Sequence, residues 1–301
     1  MEVKGVRVEE LYSLDLQCLN DLLPIYGLIF LSKLRLAEND ERPVLDLQQC
    51  SPNLFFANQE LNNGCATQAI ISILMNCPSV EIGPQLSNLK HCSRDFPPLL
   101  KALSITNNDA IRNAHNRFAK EETESSMSQD GVYTFINYVA VNNRIYELDG
   151  LKEGPICLGG FDGASDSLDW LNVVRPILEE RVEKYMERGI DFSVLGVVKD
   201  WKEEYGARLE YLERRKEQVV NELRGKMEIG SLVRILTETN SEIESVKQKM
   251  SMEDEKRKRW RRENEIRKHN YAPFLFNFVK VLSDKGKLNG LINEAKSGQK
   301  K

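Results

Sequence analysis

The sequence predicts an α+β domain followed by a helical hairpin extension. Short apolar runs bounded by turn residues are typical of strands, and they occur at 27–31 and within 132–148. Apolar residues at three- and four-residue spacing indicate helices around these runs. From residue 201, two segments repeat apolar residues in a four-three rhythm that is typical of packed helices. We therefore expect a domain over 1–200 and an extension over 201–301.

The first 52 residues predict a short helix, a strand and a loop. Apolar residues within 6–19 favour a helix, and Gly27–Leu31 is a continuous apolar run that suits a buried central strand. The polar stretch 35–52 contains Pro43, which favours a surface loop.

A polar turn then ends at Gly64 and leads into an apolar helix that begins with Cys65. Asn62 or Asn63 could cap this helix through a side-chain oxygen. In the first turn, the positive end of the helix dipole favours a thiolate over a thiol. The side chain of Gln59 could donate an N–H to an oxyanion held in front of the sulfur. A lone cysteine on a core helix is more often a packing residue, so the residues alone leave both roles open.

The middle of the chain predicts broken helices and a mobile segment. Residues 84–119 are helical in pieces, with breaks near 97–98 and 107–108. The stretch 120–131 is rich in Glu and Ser and lacks apolar periodicity, so we expect it to be mobile.

A β-hairpin follows, with strands at 132–141 and 144–148 joined by an Asn-Asn turn. A helix over 168–186 and a strand over 192–198 complete the domain. Beyond it, heptad positions up to Val246 and Met250 predict an antiparallel coiled-coil hairpin.

The last part of the chain carries a basic run and an apolar helix. The run 256–262 could serve nuclear import or phosphate binding, but acidic residues flank it, which favours a solvated helix face. Residues 274–282 form an apolar helix that either docks on the domain or binds a partner.

Composition excludes several classes of protein. The chain has 301 residues, of which 41% are hydrophobic and 29% charged, with a net charge of -4, so nothing favours nucleic-acid binding. No apolar run approaches the roughly 20 residues that span a bilayer, and we expect no membrane partner. Six cysteines without paired spacing suggest a reducing compartment, the cytoplasm or the nucleus. We expect no cofactor and no bound metal.

Four ordered motifs resemble those of the ubiquitin carboxyl-terminal hydrolases, and in particular their proteasome-associated, C-terminally extended branch. The motifs are Gln59 with Asn62–Ala69, Ser104–Asp109 with Ala114–Ala119, Arg144–Pro155, and Arg267–Phe274. The resemblance implies a papain-like cysteine-hydrolase core, in which helices flank a central antiparallel sheet. It also implies that Cys65 is the nucleophile, Gln59 the oxyanion donor and Asp149 the orienting carboxylate.

The position of the family's general-base histidine is occupied by Thr134. A hydroxyl has no useful basicity near neutral pH, whereas imidazole titrates near pH 6.5. The chain contains three histidines, and we expect His115 to pack or cap a helix and His91 and His269 to lie at the surface. Thr134 therefore predicts an impaired catalyst.

The resemblance further implies ubiquitin as a partner and a docking role for residues 260–301. The docking partner would be the proteasomal ubiquitin receptor or a chromatin-remodelling subunit. Family members carry an additional amino-terminal segment, and their crossover loop corresponds to the stretch before Val132. Three functions thus remain: a thiol hydrolase that cleaves after the last glycine of ubiquitin, a ubiquitin-binding pseudoenzyme, and a scaffold.

Overall fold

A computed structural model describes residues 3–33, 42–59, 65–117, 133–164, 167–223 and 229–292. The predicted mobile stretch 120–131 and the predicted caps Asn62 and Asn63 lie outside these ranges. Within them, no helix is both long and apolar enough to cross a membrane.

A six-stranded antiparallel sheet forms the centre of the first 200 residues, with the strand order β1-β6-β2-β3-β4-β5. The strands are β1 (Val6–Leu11), β2 (Ile25–Ser32), β3 (Thr134–Val141), β4 (Arg144–Asp149), β5 (Ile156–Gly160) and β6 (Phe192–Lys199). The predicted hairpin is confirmed, because β3 pairs with β4 and both turn residues, Asn142 and Asn143, have positive φ angles.

Helices flank both faces of the sheet, as the fold class predicts. They are α1 (Leu16–Asn20), α2 (Cys65–Asn76), α3 (Gly83–Cys92), α4 (Pro98–Thr106), α5 (Asp109–Asn116) and α6 (Asp169–Glu187). One core lies between the sheet and α2, where Ile71, Ile73 and Met75 are fully buried. The other core lies between the sheet and α6, and it is centred on Trp170 and Tyr138.

The helix breaks near 97–98 and 107–108 are confirmed, but the helix predicted over the first residues is wrong in part. Val6–Leu11 is a strand, and the helix is confined to Leu16–Asn20. Alternating residues in Val-Arg-Val-Glu suit a strand, and antiparallel pairing with β6 satisfies the backbone of this segment.

The extension consists of α7 (Lys202–Leu223), α8 (Ile229–Lys268) and α9 (Ala272–Asp284). The first two form the predicted helical hairpin, with a small core of Leu212, Ile243 and Val246. The basic run takes part in ion pairs: Lys256 pairs with Glu9 of β1, and Arg257 pairs with Asp200. These two residues attach the extension to the domain rather than forming a free basic patch.

Candidate active site

The helix α2 begins at Cys65, as the sequence predicts, and its backbone dipole therefore points its positive end toward this residue. The Cys65 side chain lies outside the described residues. Ala69 and the residues beyond it anchor the helix in the core between α2 and the sheet. The candidate site therefore consists of the residues that surround the first turn of α2.

The segment that carries Gln59 is held against α2 by Gln68. The Gln68 Nε2 atom donates to the carbonyl oxygens of Ala57, at 3.2 Å, and of Asn58, at 2.6 Å. On the other side, the backbone N–H of Gln59 donates to the carbonyl of Gly150 at 2.8 Å. Gln59 is therefore fixed between the cysteine helix and the turn that follows β4.

Close approach between Gln59 and Gly150 depends on the glycine. A Cβ atom at position 150 would lie 2.9 Å from both the Cβ and the backbone nitrogen of Gln59. Side-chain atoms do not normally approach so closely, so any larger residue would push these two segments apart. The close contact between these segments thus requires glycine directly after β4.

Asp149 precedes this glycine and ends β4. Its side chain is only 3% exposed, and its Oδ1 atom accepts a hydrogen bond from the backbone N–H of Leu151 at 3.0 Å. This local bond fixes the carboxylate at the same end of the sheet as Gln59. The structure therefore brings the predicted oxyanion donor and the predicted carboxylate to the same end of the sheet. Gly150, which follows Asp149 and contacts Gln59, connects the two.

Thr134 is the first residue of β3 and lies at this same end of the sheet, but its hydroxyl is bonded to Ser32. The Oγ1 atom lies 2.8 Å from the hydroxyl of Ser32 on β2, and both side chains are buried. Strand alternation places Thr134 on the same face as Ile136, and Ile136 pairs with Asp149 of β4, so Thr134 and Asp149 belong to one face at this end of the sheet. The predicted base position is thus on the same face as the predicted carboxylate, but its hydroxyl is bonded to Ser32.

Asn137 is a polar residue of the site that the sequence did not single out. It lies on the α2 face of β3, and its Nδ2 atom donates to the carbonyl of Ala69 at 3.2 Å. Its Oδ1 atom is buried and makes no hydrogen bond within the described part of the chain. A cavity of about 20 Å³ adjoins it, lined by Gln59, Gln68 and Ser72 among others. This volume suits about one water molecule, which could bond to the free oxygen.

Of the three histidines, His115 contacts the cysteine helix. Its Nδ1 atom lies 2.8 Å from the hydroxyl of Thr67, two residues after Cys65. This contact holds α5 against the first turn of α2. The prediction of a packing role for His115 agrees with this contact. His91 lies on α3 and His269 follows α8.

The strand that carries Asp149 is fixed by a buried ion cluster. The Glu147 carboxylate accepts from Arg42 at 3.1 Å and from Arg181 of α6 at 3.4 Å, and Lys152 lies 3.6 Å away. Hydrogen bonds from two arginines and an ion pair with a lysine restrain this buried carboxylate. Among the described residues, no group of three or more His, Cys, Asp or Glu side chains is arranged to hold a metal ion.

Comparison with known proteins identifies a family for this chain. The profile of "Ubiquitin carboxyl-terminal hydrolase, family 1" matches residues 1–183, and a second profile, "Ubiquitin carboxyl-terminal hydrolases", matches 243–288. The chain is 36% identical to ubiquitin carboxyl-terminal hydrolase isozyme L5 of Dictyostelium discoideum, over 98% of this chain and 90% of that protein. It is 34% identical to ubiquitin carboxyl-terminal hydrolase ubh-4 of Caenorhabditis elegans, over 97% and 85%.

A similar solved structure is that of Trichinella spiralis UCH37 bound to ubiquitin vinyl methyl ester. The two chains share 32% sequence identity with a TM-score of 0.54, and the match covers 81% of this chain and 90% of that one. The likeness thus extends beyond the sheet and its flanking helices into the extension.

Proposed function

The chain belongs to family 1 of the ubiquitin carboxyl-terminal hydrolases, and we propose that it recognises ubiquitin and cleaves after its terminal glycine only slowly. The observation that supports slow cleavage is the buried hydrogen bond between Thr134 and Ser32. In this proposal residues 1–200 form the hydrolase domain, and residues 201–301 form an extension that docks to a partner. The cytoplasm or the nucleus is the expected location.

The proposed reaction begins at Cys65. Its thiolate attacks the carbonyl carbon of the last glycine of ubiquitin, and the negative charge moves to the carbonyl oxygen. Gln59, positioned by Gly150 and Gln68, would donate a side-chain hydrogen bond to that oxygen. Collapse of the intermediate expels the leaving group and forms a thioester, which water then hydrolyses.

Expulsion of an amine requires a proton, and this is where Thr134 matters. In a complete triad an imidazole takes the thiol proton and returns it to the leaving nitrogen, while a carboxylate such as Asp149 orients the ring. A threonine hydroxyl cannot carry that proton, and here it is bonded to the hydroxyl of Ser32. Loss of the base costs about a millionfold in kcat in a serine enzyme. A thiolate at a helix terminus needs less assistance, so the loss in this chain should be smaller.

This mechanism predicts that the chain discriminates between leaving groups. A fluorogenic ubiquitin ester expels a weakly basic phenolate that needs no proton, whereas an isopeptide expels an amine. Slow ester hydrolysis with far slower isopeptide cleavage would therefore be the kinetic signature of the missing base. A ubiquitin vinyl methyl ester probe should still label Cys65, because formation of that adduct needs the thiolate first.

The decisive experiment compares wild type with Thr134→His, both alone and together with Ser32→Ala, which makes room for the ring. We expect isopeptide cleavage to rise at least about 100-fold in one of these variants, the usual contribution of a general base. Thr134→Val is the matched control and should leave the rate unchanged, because the hydroxyl takes no part in catalysis. Cys65→Ala should abolish all turnover. Equal isopeptide rates for wild type and both histidine variants would overturn the proposal.

A second candidate function is docking without turnover, and α9 favours it. Its apolar side chains are exposed, and Phe274 and Phe278 stack one helical turn apart with ring centroids 6.0 Å apart. An exposed aromatic helix face of this kind is typical of a partner-binding segment. The family resemblance points to the proteasomal ubiquitin receptor or a chromatin-remodelling subunit as that partner.

Docking and hydrolysis can be tested separately. The double variant Phe274→Asp, Phe278→Asp should lose binding to the purified receptor domain and to the remodelling subunit by at least about 10-fold, since buried aromatic anchors dominate such interfaces. Its labelling by the ubiquitin probe should not change. Lys280→Asp is the control for added negative charge on the same helix. Binding by wild type to neither partner would contradict the docking function.

A further inference from the structure

A second cleft opens at the end of the sheet opposite the candidate active site. The helix α2 begins at Cys65 and ends at Asn76, and this end reaches the second cleft. The turn of the β3–β4 hairpin, Asn142 and Asn143, forms another wall. The volume of the cleft is about 750 Å³, which is within the range of small-molecule sites in proteins.

The cleft is positively charged. Lys90, His91, Arg94 and Lys101 line it, and its described lining contains no Asp or Glu. Leu54, Val80 and Ile82 add an apolar wall. A site with one sign of charge and an apolar wall suits a ligand with an anionic group and a less polar body.

Lys101 is the most informative of these residues. It lies on α4 and is only 4% exposed, yet its Nζ atom makes no hydrogen bond or ion pair within the described part of the chain. The atom lies 5.4 Å from the centroid of the Phe55 ring. The ammonium thus lines the cleft without a counter-ion among the described residues, and partial burial of the side chain lowers the pKa of Lys101, with Asp95 acting in the opposite direction.

Helix electrostatics account for only part of this cluster. Lys90 and His91 lie in the last turn of α3, where cations offset the negative end of the dipole. Lys101 is in the first turn of α4, near the positive end of that helix, where a cation is disfavoured. The dipole of α4 therefore does not stabilise the ammonium of Lys101.

We propose that this cleft binds a small molecule that carries a phosphate group. Lys101 would contact the phosphate at the base of the cleft, and Arg94, which is exposed, would contact it from the mouth. Guanidinium and ammonium groups are the usual partners of phosphate, and the amides of Asn142 and Asn143 supply further donors. The site is separate from the hydrolase chemistry and does not depend on it.

Isothermal titration of the full chain with inorganic phosphate, pyrophosphate and ADP tests the proposal, with citrate as a non-phosphate anion. At least one phosphate probe should bind saturably and more tightly than citrate. Lys101→Met should weaken that binding at least about 10-fold, and Arg94→Gln at least about 5-fold, since each removes a charge-assisted contact. Arg188→Gln, an exposed arginine at the end of α6, is the control and should have no effect.

Each alternative result has a defined meaning. Absence of saturable binding for all three phosphate probes overturns the proposal, and so does binding that survives both substitutions within twofold. Binding of a short polyglutamate peptide without binding of the phosphate probes also overturns it, because the cleft would then receive an acidic protein segment. Should Lys101→Met fail to fold, Arg94→Gln still decides the outcome, because that side chain lies at the surface.

Discussion

The hydroxyl of Thr134 and the hydroxyl of Ser32 lie 2.8 Å apart in a buried position between β3 and β2. Each hydroxyl is the hydrogen-bond partner of the other, so removal of one leaves the other without that hydrogen bond. We expect Ser32→Ala to lower the free energy of unfolding by about 1–3 kcal/mol. The double variant Ser32→Ala, Thr134→Val should recover most of this loss. Urea denaturation of wild type, Ser32→Ala, Thr134→Val and the double variant measures the coupling, and strictly additive losses would contradict the prediction.

Substitution of Gly150 should disturb the candidate site. In Gly150→Ala the new methyl group would meet the backbone and Cβ of Gln59, and relief of that contact requires the two segments to separate. We expect a loss of about 1–3 kcal/mol in stability and slower labelling of Cys65 by the ubiquitin probe. Gly206→Ala in α7 is the control, because nothing lies within 4 Å of its Cβ position. That change should stabilise the helix by about 0.5–1 kcal/mol.

The attachment of the extension to the domain should depend on Glu253 of α8. Its carboxylate pairs with Arg7 of β1, and both side chains are only 11% exposed. We expect Glu253→Gln to cost about 1.5–3 kcal/mol and to speed hydrogen exchange of the β1 amides. Glu255→Gln, two residues away in an exposed pair with Lys258, should cost less than about 0.5 kcal/mol. Equal losses of stability in the two variants would show that the ion pair with β1 does not contribute to the free energy of unfolding.

Cys77 should be unreactive toward alkylating reagents. Burial raises the pKa of its thiol to about 12, and its Sγ atom donates to the carbonyl of Tyr26 at 3.1 Å. At pH 8 the thiolate fraction is then about one in 10⁴, and reactivity should increase tenfold per pH unit. Mass spectrometry after timed iodoacetamide treatment should show Cys77 at least about 100-fold slower than the exposed Cys18 and Cys92. Comparable rates at the three positions would contradict this.

The sequence predicted the elements whose local signals agree with their tertiary environment. The Asn-Asn turn of the hairpin needs two positive φ angles, and asparagine tolerates them, so local chemistry is enough to identify it. The helix at Cys65 has a complete apolar face, and the breaks in the following helices lie at proline and asparagine pairs. In these places the local preference and the final fold coincide.

Other features depend on contacts between distant residues. Val6–Leu11 has a spacing that also suits a helix, and only its pairing with β6 makes it a strand. Ser32 and Thr134 are separated by 102 positions, so the bond between them has no local signal. The burial of Lys101 also has no local signal, because the sequence of an apolar helix does not reveal that one of its lysines lies in a cleft.

The position of β1 at the border of the sheet has a consequence for self-association. An uncovered outer strand offers unpaired backbone groups to another molecule, and charged side chains along it discourage that pairing. On β1, Arg7 and Glu9 are held by residues of the long helix α8, so a second copy would have to break these ion pairs before its own strand could dock. Aggregation by strand addition is thereby suppressed at this border, whereas α9 presents exposed apolar side chains, Phe274, Phe276 and Phe278 among them.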